Sequence, residues 1–186
     1  MIGPGFLSHH QGSANSECAM RVKNTSSYPS ERIKDLLRFA FRGVQDAGVE
    51  VHVKGSSRGA RGYAYGGIPS IANVAKDARY LVTVGLPKDK ELPTQTWGTK
   101  SIKKLFPEGI PLENWEDVLV YIGAHEARHI WQVQRKRRTG KGGKREYDAD
   151  KFSYRRLNDW RVATDRDPIP KVKQPNPFET RLQAKK

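Results

Sequence analysis

Residues 125–129 read His125-Glu126-Ala127-Arg128-His129, and these are the side chains in the sequence best suited to chemistry. On an α-helix, positions four apart share a face, so His125 and His129 can offer two imidazole nitrogens to one metal ion. Glu126, beside them, is placed to take a proton from a water that such a metal activates. The H-E-x-x-H string therefore predicts zinc-dependent hydrolysis, most often of peptide bonds. It arises by chance in on the order of one in a hundred chains of this size, so its surroundings must decide.

Those surroundings have to supply a helix for the string and a third ligand. From Asn114 to about Arg137 there is no proline, and the only glycine is Gly123. Trp115, Val118, Leu119, Ile122, His125, His129, Ile130 and Val133 recur at helical steps. Asn114 reads as the N-cap, and Glu116 and Asp117 suit the first turn. The stretch Thr139-Gly140-Lys141-Gly142-Gly143 ends the helix. A second helix is predicted over about Lys144–Arg161, with Glu146, Ala149, Asp150 and Ser153 on one face. A catalytic zinc takes three protein ligands and keeps one position open. His125, His129 and Glu146 supply the three, with one Zn2+ per chain. Asp150, one turn on, can orient a ligating imidazole; Asp148 and Asp150 also remain alternatives to Glu146 as the ligand.

With Glu146-x-Asp148-Ala149-Asp150 following it, the motif resembles the gluzincin metallopeptidases, and its tail is similar to that of the HtpX-type group. The resemblance covers roughly residues 115–157. It implies zinc on His125, His129 and Glu146, Glu126 as general base, and Asp150 supporting a histidine. HtpX-type relatives are often membrane-embedded, whereas this sequence has no apolar run near the ~20 residues that a spanning helix needs. The implied form is a minimal zincin.

The remaining elements are those expected of one small α+β domain. A helix from Ser27 or Ser30 to about Asp46 carries Ile33, Leu36, Leu37, Ala40, Phe41 and Val44 on one face, with Gly48 as its C-cap. Val49, Val51 and Val53 alternate with Glu50, His52 and Lys54 as a half-buried strand, which leaves His52 on the polar side. Tyr63 and Tyr65 mark a short strand. Arg79–Leu86 is the clearest strand and is expected to offer an edge to an extended peptide substrate. Residues 87–113 read as a long connection. A zincin-like core with a three-stranded mixed sheet, an active-site helix and a ligand helix is thus expected over 28–162. Residues 1–27 read as a flexible arm and 163–186 as a loose basic tail.

Charge is the second informative property. The 186 residues carry a net charge of +14, with 36% hydrophobic residues and five histidines, and mean hydropathy is −0.76. Arg135, Lys136, Arg137, Arg138, Lys141, Lys144 and Arg145 fall within eleven positions that hold no acid. Such a cluster suits a phosphate backbone or an acidic partner. One cysteine, Cys18, excludes an intrachain disulfide framework. The N-terminus lacks the pattern of a signal peptide. The expected setting is cytoplasmic, or a virion if the chain is of phage origin. Two functions remain open: a zinc metallopeptidase acting on a protein or peptide, held near nucleic acid by its charge, or a basic nucleic-acid- or assembly-binding protein on a zincin fold without a protease role. An intact Glu126 favours the first, because a structural metal site has no use for a base.

Overall fold

The computed structural model describes residues 20–57, 59–65, 68, 72–96, 98–135 and 142–171. Among them are four α-helices, a four-stranded mixed sheet and a small two-stranded sheet, an α+β arrangement.

The chain begins with β1 (Arg21–Thr25), then α1 (Ser30–Ala40), β2 (Val49–Gly55), β3 (Arg61–Tyr65) and β4 (Tyr80–Leu86). The order across the sheet is β1-β2-β4-β3, with β1, β2 and β4 parallel and β3 antiparallel to β4. Two expectations change here. Residues 21–25 belong to the sheet rather than to an arm, and the sheet has four strands rather than three. RVKNT contains a single large apolar residue, so side-chain alternation does not mark it. Its place comes instead from the parallel ladder with β2, which any non-proline backbone can make.

The third change concerns Arg79–Leu86. It contains β4, which pairs on both sides and has no free edge. Val82, Val84 and Leu86 are fully buried, which is why the segment reads so clearly as a strand. The strand richest in apolar residues goes to the middle, paired along both edges; among the described residues the free edge beside it belongs to β3. Substrate pairing along Arg79–Leu86 is therefore ruled out.

The described residues of the connection over 87–113 also form regular elements. It contains a short 3-10 turn (Asp89–Glu91), β5 (Thr94–Thr96), α2 (Lys100–Leu105) and β6 (Ile110–Leu112), with β5 and β6 paired. α3 (Trp115–Gln134) and α4 (Gly142–Ala163) complete the fold. As expected, Asn114 caps α3, its side chain accepting from the Asp117 N–H at 2.9 Å. α1 stops at Ala40, earlier than its apolar stripe suggests, and Gly43 follows at φ +80.

α3 is the central helix, packed against α1, α4, β3 and β4. Val118, Leu119, Val120, Ala124, Ala127 and Ile130 are all fully buried, so most of its circumference is core. The segment beyond Ala163 does not begin a loose tail: Ile169 is buried, and its carbonyl accepts from the Tyr154 hydroxyl at 2.7 Å. No helix among the described residues is long and apolar enough to cross a membrane.

Candidate metal centre

The i, i+4 spacing on α3 puts the His125 and His129 rings 4.7 Å apart, with their Nε2 atoms 3.0 Å from each other. Glu146, in the first turns of α4, brings Oε2 to 3.4 Å from each Nε2. Two adjacent helices thereby gather the three side chains expected as ligands, and these can hold a metal ion. The two alternatives to Glu146 are engaged elsewhere. Asp148 accepts two hydrogen bonds from the Arg128 guanidinium, at 2.7 and 3.0 Å. Asp150 lies behind His125, its Oδ1 3.2 Å from Nδ1.

Hydrogen bonding fixes which nitrogens carry protons. Asp150 can only accept, so His125 Nδ1 is the donor between them. Behind His129 stands Gln132, which is almost wholly buried. Its amide nitrogen donates to the Arg145 carbonyl at 3.1 Å and to Asp148 Oδ2 at 3.0 Å. Both partners accept, so the amide can face only one way, with Oε1 3.1 Å from His129 Nδ1. That ring nitrogen must therefore donate too. Both Nε2 atoms are left as bare lone pairs in the neutral rings, facing each other and a carboxylate. Three acceptors this close require positive charge between them, a proton or a metal cation.

The electrostatics agree. Burial lowers the pKa of His125, but the Asp150 hydrogen bond and the Glu126, Asp150 and Glu146 charges outweigh it, leaving a net rise. Burial lowers the pKa of His129, and the neighbouring His125 lowers it further. Burial raises the pKa of Asp150, yet hydrogen bonds from His125 and the Thr99 backbone bring it below the usual carboxylate range. Glu126, only 5% exposed, is pushed up to about 7 by burial and by Glu146, against the opposing pull of His125 and the Ala64 N–H. A carboxylate balanced near neutrality, within a cleft, is suited to exchanging protons.

Glu126 lies under the free edge of β3. In an antiparallel pair, alternate residues point their N–H and C=O groups away from the partner strand. The Ala64 N–H reaches Glu126 and so points away from β4. A Cβ at Gly62 would come within 2.5 Å of Ile122 Cγ2 and would strike the Glu126 carboxylate, so only glycine lets β3 lie this close to α3. The cleft opens on both sides of the ligand group. One cavity, of about 460 Å³, is walled by Tyr63, Ala64, Ile130, Val133 and Arg145. The other, of about 290 Å³, is walled by Ala60, Arg61, Thr96, Gly98, Thr99, Tyr121 and Ile122.

Gln132, Thr99, Gly62 and Ala64 were not foreseen from sequence. Gln132 had a signal, since it is three residues beyond His129 and on the same helical side. Thr99 had none: its N–H meets Asp150 at 2.7 Å across 51 positions of chain. Gly98 permits that approach, because a Cβ there would lie 2.7 Å from Asp150 Oδ2. Of the predicted polyanion cluster, Arg135 and Lys144 are exposed, and Arg145 is half-buried in the cleft wall with its Nε 3.3 Å from Gln132 Oε1. Lys136, Arg137, Arg138 and Lys141 lie outside the described residues.

No protein family, curated protein or solved structure matches this chain. The functional reading therefore rests on the site's own geometry and chemistry.

Proposed function

We propose that this protein is a zinc-dependent metallopeptidase with a zincin-like core, in which Glu126 is the general base. The convergence of two proton-free Nε2 atoms and Glu146 Oε2, beside a buried carboxylate under a strand edge, carries this reading. Zinc suits the donor set: for donors about 2.0–2.1 Å from a tetrahedral ion, neighbouring donors lie about 3.3–3.4 Å apart. The gaps here are 3.0, 3.4 and 3.4 Å. Once bound, Zn2+ supplies Lewis acidity, which polarises a scissile carbonyl and makes water a nucleophile near neutral pH.

The chain's own residues do the rest. Asp150 and Gln132 hold the imidazoles with Nε2 forward, which also makes them better donors. The β3 edge pairs with an extended peptide through the outward groups of Gly62 and the Ala64 carbonyl, the Ala64 N–H being held by Glu126, and presents the peptide carbonyl to the cleft. Glu126 accepts the proton of the attacking water and hands it to the leaving amine. Its burial keeps that exchange within reach at neutral pH.

The test compares wild type with Glu126→Gln for zinc content and for cleavage of an unfolded protein such as casein. Both should hold about one zinc, while the variant should lose roughly 10²–10⁴ in rate. Equal rates, or a wild type that does not retain zinc, would exclude the reading.

A further inference from the structure

β3 has a second face. Gly62 and Ala64 point toward α3, whereas Arg61, Tyr63 and Tyr65 point to the opposite side of the sheet. On that side the register aligns Lys23, His52, Thr83 and Tyr63 in one row, and Thr25, Lys54, Gly85 and Arg61 in the next. With strands about 4.8 Å apart, each row spans about 14 Å. Neither row contains a carboxylate. The acids on this side are Glu50, in the adjoining row, which pairs with Arg21 and with His52 Nε2 at 2.6 Å, and Asp77, which pairs with Arg21. Lys23 and Lys54 are exposed and enter no ion pair among the described residues.

Tyr63 is 57% exposed, one of two large apolar side chains so placed among the described residues. It borders a groove of about 300 Å³ with Lys54, Arg61, Ser56, Ser57 and Thr83. An exposed ring in a groove of cations and hydroxyls, on a chain of net charge +14, matches a ligand that alternates flat bases with phosphates. We infer that this open sheet face binds single-stranded nucleic acid, with a base stacked on Tyr63 and phosphates against Lys23, Lys54 and Arg61. A duplex hides its base faces and an acidic peptide has none, so neither would use the ring. Tyr63 and Arg61 also border the two cleft cavities, but Lys23, Lys54 and Thr83 do not, and the inference does not depend on peptidase activity.

The experiment uses the full chain with Arg135, Lys136, Arg137 and Arg138 changed to Ser, so that the other basic cluster contributes little. Fluorescence anisotropy follows binding of labelled oligothymidine and oligouridine of about 15 nucleotides; a duplex of equal length and polyglutamate serve as competitors. The single strands should bind more tightly than either competitor, and the two sugars should behave alike. Tyr63→Ala should weaken binding about tenfold or more, while Tyr63→Phe should restore it, since the ring is what stacks. Lys23→Ser with Lys54→Ser should reduce the slope of log affinity against log salt by about 1.4, at ~0.7 per phosphate lost. Zinc content should not change in the lysine variant. Wild-type affinity in Tyr63→Ala, duplex or polyglutamate competing equally, or no binding in the background chain would each overturn the inference.

Discussion

α3 and α4 are joined by two clusters of charge, one at each end, and the two are built from similar groups to opposite effect. At the far end the fully buried Asp117 carboxylate meets the guanidinium groups of Arg161 and Arg166, at 3.3 and 2.7 Å. The Glu113 N–H donates to the same carboxylate at 3.2 Å, and Arg161 also pairs with Glu113. Two guanidinium groups answer two carboxylates, and although Arg166 Nη1 makes no hydrogen bond it lies 3.9 Å from Glu113 Oε2, so neither sign is left in excess. At the cleft end, the donors point outward to Asp150 and Gln132 while three acceptors point inward at one another. The first cluster closes the helix pair; the second holds it open toward a cation. A buried group of charged residues is thus a site only when its members leave one sign unanswered.

That contrast can be broken in order of size. Asp117→Ala takes the buried carboxylate from Arg161 and Arg166 and leaves them Glu113 alone, and breaking a buried ion pair typically costs about 3–5 kcal/mol. Urea denaturation should show that loss, whereas zinc bound per folded molecule should stay near wild type. Arg166→Ala, which leaves Arg161 on the carboxylate, should fall between the two. A destabilised Asp117→Ala protein that has also lost its zinc site would mean that the two ends are not independent.

The opposite experiment removes the cation. A chelator should lower the melting temperature of wild type, because a ligand that binds only the native state stabilises it by mass action. Glu146→Ala should be indifferent to the chelator and close to stripped wild type. Chelator sensitivity that persists in Glu146→Ala would place the ion elsewhere.

A smaller effect is expected where the two designs meet, at Asp150. Asp150→Asn keeps the shape but weakens the acceptor behind His125, and losing such a partner typically costs 10- to 100-fold in metal affinity. Competition with a zinc chelator of known affinity reads it directly. Gln132→Ala should act in the same direction through His129.

The smallest effect involves neither cluster. Burial raises the pKa of Glu50, but the Ala75 N–H, His52 and Arg21 outweigh it, leaving the pKa below the ordinary glutamate value of 4.5. A carboxylate with a lowered native pKa stabilises the fold above its unfolded pKa, and that contribution fades as pH falls through the native value. Wild type should therefore be more stable than Glu50→Gln at neutral pH, and the difference should shrink below about pH 4.5. A difference that grows with acid would contradict the assignment.

The local half of the site was legible before any fold was known. The i, i+4 pair, its helix and the N-cap at Asn114 depend on neighbours within one or two turns, where spacing alone sets geometry. Glu146 and Asp150 were legible for the same reason, since a helical face can be counted. The strand that borders the cleft was misplaced. The apolar run at Tyr80–Leu86 announces burial, and a strand so buried takes a place with partners on both edges.

Residue types and spacing were thus enough to specify a helix pair whose side chains could hold a metal ion, a glutamate beside them, and an α+β chain with a large positive charge. They could not specify which of Glu146, Asp148 and Asp150 faces the histidines. That depends on how α4 is rotated against α3, with Arg128 drawing off Asp148 and Thr99 holding Asp150 behind His125. Nor could they place Gly62 over Glu126, or bring Lys23, Lys54 and Tyr63 onto one surface. Strand order and helix rotation are set by contacts between segments far apart in sequence, and no local periodicity records them.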